Sequence, residues 1–416
     1  MKKIIYALIL SFFLHFLSFS LVAQNVESFI YGKITTFDDE VYEGQIRWGK
    51  EEAYWTDMFN ASKRDNDNID YLSDQELKDL TESKHRRNGG GGNNLWNKWS
   101  NNEYHYDFIH QFSCQFGEIK KIDLKRYKRA MVVMKDDSKI KISGEGYNDL
   151  EADIVIYDQK KGRVKLRWSE LLMIEFLATP PNLESQLGKP LFGTVKTRDG
   201  IFVGQIQWDK DERVSSDILD GRNSEGKHKI EFEEIKAIEK MGDGCDITFK
   251  DGSDDYLHGS NDVDDGNRGI IVSNPAFGRV VISWKDFRKV EFSDQVDMKI
   301  MTYYDFQTPS PISGTIKTKN GTSHTGKIVY DLDESFEYEI LNGEKGRLEF
   351  VIPFRNVSKI IPKRDECIVE LKGSNQQLLL EDSQDINRNN EGVLVFAQSD
   401  KPVYINWKDV EEIVLD

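Results

Sequence analysis

The feature that most restricts this chain is an internal repeat. Gly193-Thr-Val-Lys-Thr-Arg-Asp-Gly200 matches Gly314-Thr-Ile-Lys-Thr-Lys-Asn-Gly321 in spacing, and Gly32-Lys-Ile-Thr-Thr-Phe-Asp-Asp39 is a weaker copy. A second glycine follows each (Gly44, Gly204, Gly326), and from it, always at the same offsets, come an aromatic (Trp48, Trp208, Tyr330), an acid (Glu52, Glu212, Glu334) and another acid (Asp57, Asp217, Glu339). Further on, Phe116, Ile119 and Ile122 match Phe232, Ile235 and Ile238, and also Phe354, Val357 and Ile360. Each copy closes on a tryptophan and an acid: Trp168 and Glu170, Trp284 and Asp286, Trp407 and Asp409. Self-similarity at fixed spacing requires one fold unit built several times. The units are residues 29–177, 190–293 and 311–416.

Within a unit the apolar residues alternate with polar ones. Val280, Ile282 and Trp284 share one parity, as do Phe202, Gly204, Ile206 and Trp208. Such period-two runs, bounded by Asp199-Gly200, Asn320-Gly321 and Asp251-Gly252, predict antiparallel hairpins and an all-β fold. The tryptophans on the apolar parity are expected to be core residues. Each unit also reads as two similar halves of five short strands, the second half starting near Cys245 or Cys367. A glycine in the second strand suits a sharp bend. In this pattern of strands and turns each half resembles the small barrels of the SH3-like and Sm-like class. The resemblance implies two five-stranded barrels per unit. One β-sandwich per unit is the alternative, and neither names a function.

The first unit carries an insertion, residues 60–110, with Gly89 to Gly92 and little apolar period. It predicts a flexible loop with a short helix over Tyr71 to Leu80, and an added loop on a scaffold is a candidate partner site. The linker from Ser293 to Ser310 holds Met298, Ile300, Met301, Tyr303, Tyr304 and Phe306, and is expected to pack between units.

The N-terminus bounds the compartment. Lys2 and Lys3 precede an apolar run from Ile4 to Ala23, and Gln24 and Asn25 follow. Residues 1–23 have the layout of a secretory signal peptide, the alternative being an uncleaved anchor. The expectation is an exported protein, periplasmic or extracellular, whose mature chain has no membrane span. Removing residues 1–23 removes two lysines and no acids, so the formal charge goes from −16 to −18. An acidic surface repels phosphate backbones, which argues against nucleic acid as partner. The three cysteines, Cys114, Cys245 and Cys367, are too few for a disulfide framework.

The chain lacks a Gly-x-Ser-x-Gly elbow, a His-Glu-x-x-His pair and zinc-type cysteine spacing. One oxygen-rich loop recurs: Asp262-Val-Asp-Asp-Gly-Asn-Arg-Gly269 and Asp385-Ile-Asn-Arg-Asn-Asn-Glu-Gly392. Asp-x-Asp or Asp-x-Asn spacing can direct alternate oxygens at one calcium ion. The candidate ligands are Asp262, Asp264 and Asn267 in one loop, and Asp385, Asn387 and Asn389 in the other. A plain polar turn is the competing reading. With no cofactor motif, the sequence favours a non-enzymatic exported protein that presents a binding or structural surface to a protein or carbohydrate. A calcium-dependent adhesin or sensor, and an envelope hydrolase without a recognisable motif, are the alternatives.

Overall fold

A computed structural model describes residues 26–87, 110–125, 128–294, 297–374, 377–397 and 401–416. The predicted signal peptide and the Gly89 to Gly92 run lie outside the described residues. The chain is all-β, with every strand pairing antiparallel.

Unit 1 contains β1 (Tyr31–Thr36), β2 (Val41–Trp48), β3 (Met58–Lys63), β4 (Gln111–Gln115), β5 (Ile119–Lys125), β6 (Arg129–Met134), β7 (Lys139–Ser143), β8 (Ile154–Asp158), β9 (Gly162–Leu166) and β10 (Leu171–Phe176). Unit 2 contains β11 (Phe192–Thr197), β12 (Ile201–Gln207), β13 (Ile218–Asn223), β14 (Gly226–Glu231), β15 (Ile235–Met241), β16 (Gly244–Phe249), β17 (Asp254–His258), β18 (Ile270–Asn274), β19 (Gly278–Ile282) and β20 (Phe287–Phe292). Unit 3 contains β21 (Ser313–Thr318), β22 (Ser323–Val329), β23 (Ile340–Lys345), β24 (Leu348–Pro353), β25 (Val357–Pro362), β26 (Glu366–Leu371), β27 (Gln377–Glu381), β28 (Val393–Phe396), β29 (Val403–Ile405) and β30 (Val410–Leu415).

The pairing path in unit 1 is β4-β3-β7-β6-β5-β10-β1-β2-β8-β9. Unit 2 repeats it as β14-β13-β17-β16-β15-β20-β11-β12-β18-β19. Unit 3 repeats it again as β24-β23-β27-β26-β25-β30-β21-β22-β28-β29. These paths close no five-stranded ring. The two sequence halves of a unit exchange partners instead: β11 and β12 of the first half pair with β20 and β18 of the second. Alternation and turn chemistry specify hairpins between neighbours. They carry no record of pairings across many residues, which is why the half-by-half reading fails here.

Units 2 and 3 form one sheet, because edge strand β19 pairs with edge strand β24, Arg279 to Val351 through Ile282 to Leu348. An unpaired edge is a template for another strand, and here two edges cover each other. The seam has one core running through both units. Unit 1 has its own core, which also takes in Phe306 and Tyr338.

The recurring apolar positions are the cores. Phe116, Phe232 and Phe354, with the two apolar residues that follow each at three-residue spacing, are all at most 1% exposed. Trp284 and Trp407 are buried, whereas Trp168 is only half-buried. The paired glycines have a steric cause. Gly32 faces Gly44, Gly193 faces Gly204, and Gly314 faces Gly326 across the first hairpin. A Cβ on Gly44, Gly204 or Gly326 would lie 1.9, 2.4 or 2.1 Å from a backbone oxygen of the next strand. At the turns, Gly321 adopts φ +90°, while Gly200 turns the chain outside the left-handed region.

The linker between units 2 and 3 folds back on unit 1. Phe306 is 2% exposed, the Tyr303 and Trp55 ring centroids are 4.6 Å apart, and Lys135 Nζ donates to the carbonyls of Tyr303 and Phe306 at 2.6 Å each. Residues 60–63 of the insertion belong to β3. The helix it contains runs over Asp74–Arg87, later and longer than the sequence suggests. Ser73 and Glu76 form a reciprocal capping pair at its start. Ile69 and Leu80 pack on Val329, Leu332 and Leu394 of unit 3, so this part of the insertion is docked within the molecule. Among the described residues no helix is long and apolar enough to cross a membrane.

Candidate functional site: an acidic cavity where the three units meet

The repeated aromatic and acid positions build the same device three times. Trp48 and Trp208 donate Nε1 to the carbonyls of Asp149 and Asp262 at 2.9 Å, and Tyr330 donates its hydroxyl to that of Asp385 at 2.6 Å. The Oδ2 of each aspartate accepts a backbone amide at the start of the neighbouring hairpin: Asn60 at 2.5 Å, Asp220 at 2.7 Å, Asn342 at 2.8 Å. The glutamate four residues past the aromatic, Glu52, Glu212 or Glu334, pairs backbone to backbone with that aromatic. One carboxylate is thereby held near another with little water.

Burial has the expected electrostatic effect, since a low dielectric disfavours the charged form. It pushes Asp149, Asp262 and Asp385 up to about 6. It pushes Glu212 up to about 9, with Asp262 and Asp211 adding to the shift, and raises Glu52 and Glu334 well above the usual carboxylate range.

At the junction of the units the devices of units 1 and 3 open on a cavity of about 650 Å³. Unit 1 contributes Glu51, Glu52 and Asp149, and unit 3 contributes Glu334, Glu339, Glu344, Glu349, Asp382 and Asp385. Against these nine carboxylates stand three basic groups, His110, Lys210 and Arg279. Arg279 sits on the seam strand β19, where Nη2 donates to Gln207 Oε1 at 3.1 Å. On the unit 3 wall Glu344 lies directly opposite Glu349 and also opposite Glu381. Like charges facing across strands oppose pairing. Burial, with Asp382, Glu349 and Glu381 nearby, raises the Glu344 carboxyl.

The six residues proposed from the oxygen-rich loops fall into three kinds. Asp262 and Asp385 are the device aspartates just described. Asp264 and Asn387 close local turns, accepting the amides of Gly266 at 2.8 Å and Asn389 at 2.7 Å. Asn267 accepts from Gly269 at 2.8 Å and donates to the Asp262 carbonyl. Its structural counterpart in unit 3 is Asn390, which accepts from Gly392 and donates to the Asp385 carbonyl; Asn389 is exposed. Each loop therefore directs much of its side-chain oxygen at its own amides.

The sequence did not single out His110, which ends the insertion and reaches the unit 3 wall. Burial would lower its imidazole, but Glu391, Asp333 and Asp331 around it hold it up at about 9. The signal available was its place beside β4, next to no recurring position. The cysteines are free and buried, and burial pushes the Cys245 and Cys367 thiols up to about 12. A thiol held so high is a poor nucleophile at neutral pH. No protein-family model, curated protein or solved structure matches this chain.

Proposed function

We propose that this chain is an exported, non-enzymatic binding protein whose three units together shape one recess for a cationic ligand bearing ammonium or guanidinium groups. The observation that carries the reading is the cavity at the unit junction, with nine carboxylates against three basic groups. An acidic cleft with low-dielectric walls concentrates cations. The facing pair Glu344 and Glu349 opposes strand pairing, and a bound cation between them would relieve it. The signal-peptide layout of residues 1–23 supports export. The buried, raised thiols support a role without nucleophilic catalysis.

Titration calorimetry with spermidine at low and at physiological salt tests this reading. Saturable binding that weakens with salt, and weakens further in the double variant E344Q/E349Q, is expected. Absence of binding at low salt, or binding indifferent to both substitutions, would sink it.

A further inference from the structure

Units 2 and 3 differ at one aligned position by a reversal of charge. In unit 2 Arg268 follows Asn267, and its guanidinium lies 2.8 Å from Asp211 and 3.4 Å from Asp209. The acids of that turn have a cation built in. In unit 3 the same place, after Asn390, carries Glu391, which is 2% exposed. The acids equivalent to Asp209 and Asp211 are Asp331 and Asp333, 0% and 4% exposed. The backbone frame is unchanged: the Arg268 amide donates to Asp209 Oδ1, and the Glu391 amide donates to Asp331 Oδ1. Unit 3 has thus lost a cation and gained an acid where water is excluded.

Two side chains answer this excess. Lys63 Nζ reaches Asp333 Oδ1 at 2.9 Å and Glu339 Oε1 at 2.6 Å. It leaves Asp333 Oδ2 and Glu334 Oε2 buried with no hydrogen-bond partner. His110 fills part of the gap, with Nδ1 3.5 Å from Asp333 Oδ2 and Nε2 3.6 Å from Glu391 Oε2. A ring nitrogen of His110 and one oxygen each from Asp333 and Glu334 lie within 4.8 Å of one another.

We propose that His110, Asp333 and Glu334 hold a divalent transition-metal cation of the zinc type, in the place that Arg268 fills in unit 2. Buried carboxylate oxygens without partners are costly, and a cation offsets that cost. The mixed donor set selects the ion. Calcium takes six to eight oxygens, whereas one imidazole with carboxylates suits zinc, manganese or cobalt. Ligand atoms about 2.1 Å from a zinc ion sit roughly 3.4 Å apart, so binding draws the three groups together by about an ångström. With Nδ1 turned to Asp333, the Glu391 carboxylate at Nε2 fixes the ring, as outer carboxylates do at metal-binding histidines. His110 and Glu334 both line the cavity, which gives the ion a way in. The inference rests on the cavity reading only for that entry.

The test is calorimetric titration of chelator-stripped residues 24–416 with zinc chloride, beside the spermidine titration. One equivalent of zinc is expected, with affinity falling roughly tenfold or more in E334Q and in H110N, and unchanged in E212Q of unit 2. Visible absorption of the cobalt-loaded wild type gives a second readout that needs no variant to fold. Bands of a low-coordinate nitrogen and oxygen site are expected; the spectrum of aqueous cobalt would overturn the proposal. So would the absence of saturable zinc uptake, or uptake that both substitutions leave unchanged. Spermidine binding without zinc binding removes the metal and keeps the recess; zinc without spermidine does the reverse.

Discussion

Asp57 Oδ1 lies 2.5 Å from Arg213 Nη2 across the boundary between units 1 and 2, with both side chains 1% exposed. The other oxygen of Asp57 accepts the amides of Ala53 and Tyr54 within its own unit. The equivalent acids do the same: Asp217 accepts the Arg213 and Val214 amides and pairs with Arg47, and Glu339 accepts the Ser335 and Phe336 amides and pairs with Lys63. One repeated acid therefore ties its own turn and a neighbouring unit at once. These ties hold the units around the cavity.

Replacing Asp57 by alanine should cost about 3–5 kcal/mol, because it leaves the Arg213 guanidinium buried without its partner. The double variant D57L/R213M should cost much less than the two single changes added together, since both charges then leave the interior. Equilibrium urea unfolding of the three variants measures this. A loss below about 1 kcal/mol in D57A would mean that Arg213 finds another partner and that the tie does not hold the units.

Gly204 and Gly252 separate two reasons for glycine. At Gly204 an added Cβ would lie 2.4 Å from the Ser273 backbone oxygen, and no flexible side chain can yield. At Gly252 there is open space but φ is +92°. G204A should therefore cost about 1–3 kcal/mol or more by displacing a strand. G252A should cost only about 1 kcal/mol from the left-handed backbone. Thermal melts in which G252A is the more damaging would contradict this account of the bent strand.

The legible part of this fold is the part that is local or repeated. The spacing of Trp208, Glu212 and Asp217 located the turn that bears the acids, and Val280, Ile282 and Trp284 located a buried face. The partner of each strand was not legible, because β11 meets β20 across more than ninety residues and neither strand carries a mark of the other. The cavity was hidden for the same reason: His110 of unit 1 meets Asp333 of unit 3 only after the chain has folded. One signal was present in the sequence. Arg268 and Glu391 stand at the same offset in the two oxygen-rich loops, and a reversal of charge at an aligned position marks a difference in what the two units hold.

Tyr330 tests whether the aromatic position carries its hydrogen bond as well as its bulk. Its hydroxyl donates to the Asp385 carbonyl, which also accepts from Asn390 Nδ2 at 3.0 Å. Y330F keeps the ring in the core and leaves that carbonyl one partner. The expected loss is about 1 kcal/mol by urea unfolding. A loss above about 3 kcal/mol would show that the ring, too, has moved.

Asp262 gives the protein a pH dependence of unusual sign. Burial, with Asp209, Asp220 and Asp211 nearby, pushes its carboxyl up to about 6, against the pull of the Asp220 amide. In the unfolded chain the group titrates near 4. Between those values the folded state keeps a proton that the unfolded state has lost, so stability falls as pH rises. The favourable contribution is complete below about pH 4 and is gone above about pH 6. Asparagine has nearly the same shape, can still accept the Asp220 amide and does not ionise. D262N should therefore be more stable than the wild type at pH 8, by at most about 3 kcal/mol. Its advantage should shrink toward zero at pH 4. Urea unfolding of both proteins at the two pH values decides the point: a difference that is flat with pH, or a variant weaker at pH 8, would mean that the fold does not raise the Asp262 carboxyl.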